Sequence, residues 1–388
     1  MPMQKPSVTY VLPHPNFFAP GKAGQVVHAE GVLEGLIPVS REVHLLAAPE
    51  APGFLRDDAG AIRFEPAPAL GRLWYLRFVR QLARHIDAEQ PDVVLMRSQP
   101  LFLLLAALLL ATPSRRRRRY CVEVNGLGFS FAKQGGGNRL VIALSTLAYK
   151  ILLRPFGFVQ VVNDDLGARL GRGLLAIPSD RLLVVHNGGP RPSYAPASDA
   201  SDPRELHLFF FGLFNPYNDF PLLIDAVAAA RADGVPVVLH LVGHGREGDY
   251  LRSRADGRSV HVYDAMTRQE FTALVQRTRG LRAGVLPMRY GNGSGSLSPL
   301  KAFEYMALGI PLLYSSNCLQ DVLSHDVHGA MYTEGRLTSL VDQIRMLADP
   351  LRHARYTAAI RDHYPKHTWE RRMADLVTGV LTPGARAS

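Results

Sequence analysis

Residues 291 to 316 read GNGSGSLSPLKAFEYMALGIPLLYSS, a stretch dense in groups that could do chemistry. Glycines stand at 291, 293 and 295, and Ser298 and Pro299 then fit an N-cap and a first helical residue. The helix predicted from Leu300 puts Lys301 in its first turn and Glu304 one turn on. Leu300, Phe303 and Ala307 share a face, and Gly309 ends the helix. Ile310 to Tyr314 reads as a buried strand. A glycine-rich loop feeding a helix N-terminus gathers unpaired N–H groups and the positive dipole end at one spot, which suits an anion. Lys301 supplies a cation and Glu304 an acceptor for hydroxyls. The same spacing also fits an ordinary strand-to-helix connection with Lys301 and Glu304 as a solvated pair, and spacing alone favours neither.

The elements that would carry these groups alternate along the whole chain. Strands are predicted at Val8 to Leu12, Glu42 to Leu46, Val93 to Met96, Tyr120 to Val124, Phe158 to Val162 and Leu182 to Val185. Helices fall between them at about Gln25 to Leu36, Leu70 to Glu89, Leu101 to Ala111 and Asn138 to Leu153. Residues 189 to 204, rich in Pro, Ser, Ala and Asp, read as a linker. Beyond it come strands at Leu206 to Phe211, Val237 to Val242, Val260 to Tyr263 and Ala283 to Leu286. Helices lie at Phe220 to Arg231, Thr267 to Thr278 and Leu337 to Leu347, the second opened by a Thr267/Glu270 capping box. This alternation predicts an α/β chain of two parallel, doubly wound sheets. The expected division is 1–188, a linker at 189–204, a second domain at 205–367, and a closing helix over 368–388 that returns to the first domain.

Ligands of open α/β sheets bind outside the carboxyl ends of the strands. Those ends offer Gly21, Lys22 and Gly24, then Arg97, Asn125 and Asn187, in the first half. In the second half they offer Gly212, Gly243, His244, Gly245, Arg289 and Ser298. Two such sheets with facing loops would enclose a cleft, the usual place for a small molecule.

SPLKAFEYMALGIPLL resembles the donor-site signature of family 4 glycosyltransferases, which have the two-domain GT-B fold. FFFGLFNPYNDFPLLIDAV, LHLVGHGREGDYL, VVHNGGP, the GKAG loop, YCVEVNGLGFSF and Thr368–Trp369 resemble further segments of that family. The resemblance implies two Rossmann-like domains facing across a cleft. It also implies retaining transfer of a sugar from a nucleotide-diphosphate donor to an acceptor hydroxyl. The second glutamate of the family's E-x7-E pair, which binds the donor ribose, falls at Glu304; the first falls at Ser296. The resemblance places Lys301, Arg289 and the helix start at Ser298, Pro299 and Leu300, with its free amides, on the diphosphate. It puts Gly21, Lys22 and Gly24 over the donor, Gly212, Gly243 and Gly245 beneath it, and Asn125 and Glu123 beside the sugar or acceptor. Two of the family's phosphate-binding cations are replaced, by Leu213 and Asn218. The implied partners are a nucleotide sugar and a saccharide or lipid-linked acceptor of cell-surface glycan or lipopolysaccharide assembly. A non-catalytic partner subunit, or a sugar-nucleotide epimerase or phosphorylase of the same fold, is the alternative.

Composition sets outer bounds. The 388 residues suffice for two cores, and the net charge of +10 favours anionic partners. Cys121 and Cys318 are the two cysteines, which points to a reducing, cytoplasmic setting rather than a disulfide framework. The eleven-residue apolar run from Leu101 to Ala111 is too short to span a bilayer. Arg115 to Arg119 follows it, a solvated loop or a patch for an anionic membrane surface. Nucleic acid is not expected, because aromatics do not interleave with the basic run. Neither is a metal: no Asp-x-Asp occurs, and the pairs His325/His328 and His363/His367 lack completing ligands.

Overall fold

A computed structural model of the chain describes residues 4–15, 23–47, 61–110, 112, 118–126, 139–194, 205–289, 299–318 and 321–382. Gly21, Lys22, Ser296, Ser298, Arg115 to Arg117, the glycines at 291, 293 and 295 and residues 195–204 lie outside them. The chain forms two compact units, one of Met1–Gly188 with Trp369–Ser388, the other of Gly189–Thr368.

The first unit holds a seven-stranded sheet whose pairings are all parallel. Its strands are β1 (Ser7–Val11), β2 (Glu42–Ala47), β3 (Ile62–Pro66), β4 (Val93–Arg97), β5 (Arg119–Val124), β6 (Phe158–Val161) and β7 (Leu182–Val184), in the order β3-β2-β1-β4-β5-β6-β7. The central strands are near-continuous apolar runs, as burial on both faces requires. Helices α2 (Trp74–Glu89), α3 (Pro100–Leu109), α4 (Arg139–Leu153) and α5 (Asp164–Gly171) share one core, built on Phe78, Leu82, Phe102, Leu153 and Leu170. Helix α1 (Ala23–Val39) pairs with α12 (Trp369–Leu381). Gly31 and Gly35 leave room on α1 for the Trp369 ring and backbone, and a methyl at either would overlap them.

The second unit holds six parallel strands in the order β10-β9-β8-β11-β12-β13. They are β8 (Leu206–Leu213), β9 (Val237–His244), β10 (Val260–Tyr263), β11 (Leu281–Leu286), β12 (Leu312–Ser315) and β13 (Gly329–Tyr332). Helices α6 (Phe220–Ala232), α7 (Gly248–Arg254), α8 (Arg268–Arg277), α9 (Leu300–Ala307), α10 (Leu337–Ala348) and α11 (Pro350–His363) connect them. On β8 and β9, His207 and His240 are buried together, Nδ1 of one 3.0 Å from Nε2 of the other. The His240 ring stacks on Phe209, and its Nδ1 lies 3.0 Å from the Tyr263 hydroxyl.

The predicted Thr267/Glu270 capping box forms: Thr267 Oγ1 accepts from the Glu270 amide, and Glu270 Oε2 accepts from the Thr267 amide. Thr267→Ala is expected to destabilise the second unit by about 1 kcal/mol, read from urea unfolding. The structure also adds elements that the sequence pattern did not yield. Strand β3 is a half-exposed edge and β13 only four residues long, so neither shows a clear period of two. Helix α5 is short, though Asn163 caps it by accepting from the Leu166 amide. Helices α7 and α11 are predominantly polar, yet Asp349 and Pro350 were readable as an N-cap and first residue for α11.

Candidate functional site

Strands β8 and β9 run side by side to their carboxyl ends, where Gly212 pairs with Gly243. Gly243 has φ +148°, and a methyl there would overlap the Gly212 carbonyl oxygen. Only glycine lets the two backbones close at this point. Gly245 also lies close against the Phe214 backbone, whose amide donates to the His244 carbonyl at 2.7 Å. The result is a bare backbone floor at the sheet end.

Lys301, in the first turn of α9, reaches this floor. Its Nζ lies 4.0 Å from the centroid of the Phe210 ring and 3.7 Å from where a methyl on Gly212 would sit. Burial lowers its pKa to about 7, and the neighbouring Cys318 acts in the opposite sense. Burial pushes the Cys318 thiol itself up to about 12, so near neutral pH it offers Lys301 no counter-charge. The expected mobile cation is a half-buried one, poised near neutral pH and stabilised in its charged form by an aromatic face.

Three further expectations change. Pro299 occupies the N-cap of α9 instead of its first helical position, and Leu300 opens the helix. Glu304 pairs with Arg268 Nε at 3.1 Å and not with Lys301. Arg289 is held by Asp219, with Nη2 and Nε 2.8 and 3.2 Å from its two carboxylate oxygens. Asp219 also caps α6 by accepting from the Leu222 amide, so Arg289 is tied to an element end. Asn218 is buried and donates to the carbonyls of Leu213 and Asn215. It braces the turn after β8.

In the first unit, Glu123 at the end of β5 is 2% exposed. Its carboxylate accepts from Tyr10 Oη at 2.8 Å and from Asn125 Nδ2 at 2.6 Å, and lies 3.2 Å from His28 Nε2. Arg97 Nη1 lies 3.3 Å from the other ring nitrogen of His28. Burial lowers the His28 pKa to about 4, so at neutral pH the ring is uncharged. Protonated at Nε2, it donates to Glu123 and accepts from Arg97 at Nδ1. Burial alone would raise the Glu123 pKa; His28, Arg97, Asn125 and Tyr10 outweigh it and hold the carboxyl below its usual range. Glu123, expected beside a sugar, is instead the centre of a closed polar network that fixes the ends of β1, β4 and β5. Asn125 lies at the half-exposed edge of that network. His28, Tyr10 and Arg97 join residues far apart in sequence, and a lone His in a helix carries no signal of such a partner.

Residues 205–349 match the family described as glycosyl transferases group 1, and residues 23–188 match the glycosyl transferase 4-like domain. No curated protein matches the sequence. Among solved structures, sucrose-phosphate synthase from Thermosynechococcus elongatus is 17% identical, with a TM-score of 0.68 over 97% of this chain and 98% of that one. HepE from Anabaena, in complex with UDP, is 14% identical, with a TM-score of 0.67 over 97% and 99%. The apo lipopolysaccharide outer core galactosyltransferase WaaB is 13% identical, with a TM-score of 0.65 over 97% and 99%. At these identities the likeness carries the fold. Together with the family matches on both halves it shows that the chain belongs to the group 1, family 4-like glycosyltransferases, GT-B enzymes that draw their sugar from a nucleotide donor.

Proposed function

We propose that the chain transfers a hexosyl group from a nucleotide-diphosphate sugar to an acceptor hydroxyl, with retention at the anomeric carbon. The acceptor is a saccharide or lipid-linked glycan of cell-surface assembly. The observation that carries this reading is the Lys301 ammonium lodged beside Gly212 and the glycine floor of β8 and β9. Negative charge grows on the departing diphosphate, and a fixed cation in a water-poor site stabilises it more than a solvated one. HepE is known in complex with UDP-glucose, which supports a uridine donor as the first probe. Lys301 takes up the load left by Leu213 and Asn218, neither of which carries charge.

Glu304 would accept from the donor ribose, and its ion pair with Arg268 orients it. Glu304→Ala is expected to weaken a matched nucleotide sugar and its nucleoside diphosphate equally, by about 1 kcal/mol or roughly fivefold. Calorimetric titration of UDP-glucose, UDP-galactose and UDP, alongside a transfer assay with candidate glycan acceptors, tests the proposal. Binding of no nucleotide by the wild-type chain would replace it with a non-catalytic subunit, the reading that Leu213 and Asn218 favour.

A further inference from the structure

Residues 189–194, the start of the expected linker, lie within the second unit. They hold α9, the helix that carries Lys301 and Glu304, at several points. Gly189 packs so closely on Phe303 that a methyl would overlap the Phe303 Cβ and carbonyl oxygen. The Gly189 amide donates to the His367 carbonyl at 3.0 Å, and the Tyr364 hydroxyl donates to the Pro190 carbonyl. The turn at Gly309, with φ +67°, closes the helix. There the Tyr305 and Met306 carbonyls accept from the amides of Ile310 and Gly309 at 3.3 and 2.9 Å. The Ala307 carbonyl finds its donor outside the helix, in the Ser193 amide at 2.8 Å. Tyr194 completes the contact. A methyl on Gly309 would overlap its ring, the Arg361 guanidinium lies 5.2 Å from the ring centroid, and its hydroxyl donates to the Arg361 carbonyl at 2.8 Å.

We propose that residues 189–194 are a positioning element of the donor site: through the Ser193 amide and the Tyr194 side chain they fix the lengthwise placement of α9, and with it the Lys301 ammonium. Helix carbonyls point along the axis, so the Ser193 bond acts lengthwise on α9. Eight residues make a short rod, about 12 Å long at 1.5 Å per residue, and a shift at its carboxyl end is a shift at Lys301. The Tyr305 hydroxyl accepts from the Phe211 amide at 2.9 Å and ties the middle of α9 to β8. That bond acts across the helix and leaves travel along the axis to Ser193 and Tyr194. Placement matters because a charge-assisted contact with a phosphate oxygen spans only about 2.7–2.9 Å, and a displacement of about 1 Å breaks it. Ser193 and Tyr194 are thus positioning residues that act through Lys301. The inference rests on reading Lys301 as the diphosphate ligand.

The test compares the full-length wild-type chain with Ser193→Ala, Ser193→Pro and Tyr194→Leu. Ser193→Ala removes a hydroxyl that accepts from Gln276 at 3.4 Å but keeps the amide, so it is the control. Ser193→Pro removes the N–H. Tyr194→Leu removes the hydroxyl and the ring, and carries the test if the proline variant does not fold. The first measurement is the melting temperature from pH 7 to 10 without nucleotide. Over this range the wild-type value should rise as buried Lys301 gives up its proton, while the neighbouring Cys318 thiol, pushed up to about 12, stays neutral. A released α9 lets water reach Lys301, so the proline and leucine variants should lose roughly half of that rise. A merely structural loss would lower the melting temperature equally at every pH. The second measurement is calorimetric titration with UDP, which Ser193→Ala should bind as wild type does and the other two roughly fivefold more weakly. The proposal is overturned if the proline and leucine variants keep the whole pH rise, if they bind UDP as tightly as wild type, or if Ser193→Ala loses as much as Ser193→Pro. A wild-type chain that binds no UDP ends the donor reading of Lys301. The melting series then decides by itself whether residues 189–194 place this side chain, so the two readings fail separately.

Discussion

Lys301→Met is expected to make the protein more stable at neutral pH and poorer at binding its donor. Methionine fills nearly the same volume and removes a cation whose pKa burial has lowered to about 7. A lysine with a depressed folded pKa costs stability at every pH below its ordinary value, in full below the folded pKa and less as pH rises from there. For wild type this means that stability rises as pH increases from about 7 toward 10.5. The variant should lose that dependence and melt at a higher temperature than wild type at pH 7. Its affinity for a nucleoside diphosphate should fall roughly ten- to a hundredfold, the loss of one charge-assisted contact worth about 1.5–3 kcal/mol. In wild type the arriving diphosphate draws a proton onto Lys301, so binding should strengthen as pH falls through 7 and should take up protons from buffer. Differential scanning calorimetry and titrations in two buffers of different ionisation enthalpy measure both halves. A variant that binds as tightly as wild type would remove Lys301 from the phosphate site.

The second large effect is acid lability. Burial lowers the pKa of His28 to about 4 and of His240 to about 3, one in each unit, and lowers those of His85, His207 and His353. Each is protonated in the unfolded chain below its ordinary 6.5 and stays neutral in the fold until its own lower pKa. Stability should therefore decline as pH falls from 6.5 toward 3 to 4. At pH 5, His28 and His240 would each contribute a loss of about 2 kcal/mol relative to pH 7, a large share of a typical domain's total. Glu123 acts in the same direction, because its folded carboxyl is held below its usual range and its stabilisation fades only on acidification. Urea unfolding followed by tryptophan fluorescence and far-UV dichroism at pH 7, 6 and 5 measures the slope. His28→Gln, which can still donate to Glu123, should flatten the part of that slope carried by the first unit. Coincident unfolding curves at pH 7 and 5 would show that these rings are not neutral and buried as placed.

What the sequence made legible was local. Thr267 and Glu270 announce a helix start three residues apart, and the strand ends announce Gly212, Gly243 and Gly245, because turn chemistry and capping need no distant partner. Lys301 was legible as a cation at the right place in the chain but not in its environment. Its surroundings are set by Phe210 on another strand and by Cys318 beyond the next one. Arg289 was legible as a cation at a strand end, but its ion pair with Asp219, seventy residues earlier, was not. The Glu123 network was the least readable part. It joins Tyr10, His28 and Arg97, three residues that individually suit any soluble α/β protein. Contacts of this kind depend on strand order, and strand order follows from the whole pattern of alternation.

Because α12 belongs with the first unit while everything from Gly189 to Thr368 belongs to the second, synthesis on the ribosome delivers the pieces out of order. The grooves at Gly31 and Gly35 on α1 are made early, but Trp369, which fills them, emerges only after the entire second unit has left the exit tunnel. At a translation rate of roughly 5–20 residues per second, α1 waits about fifteen to sixty-five seconds with that face uncovered. The nascent chain thus spends that interval with one apolar groove open, a natural stopping point for a holding chaperone. Arrival of α12, rather than completion of either sheet, is the event that closes the first unit.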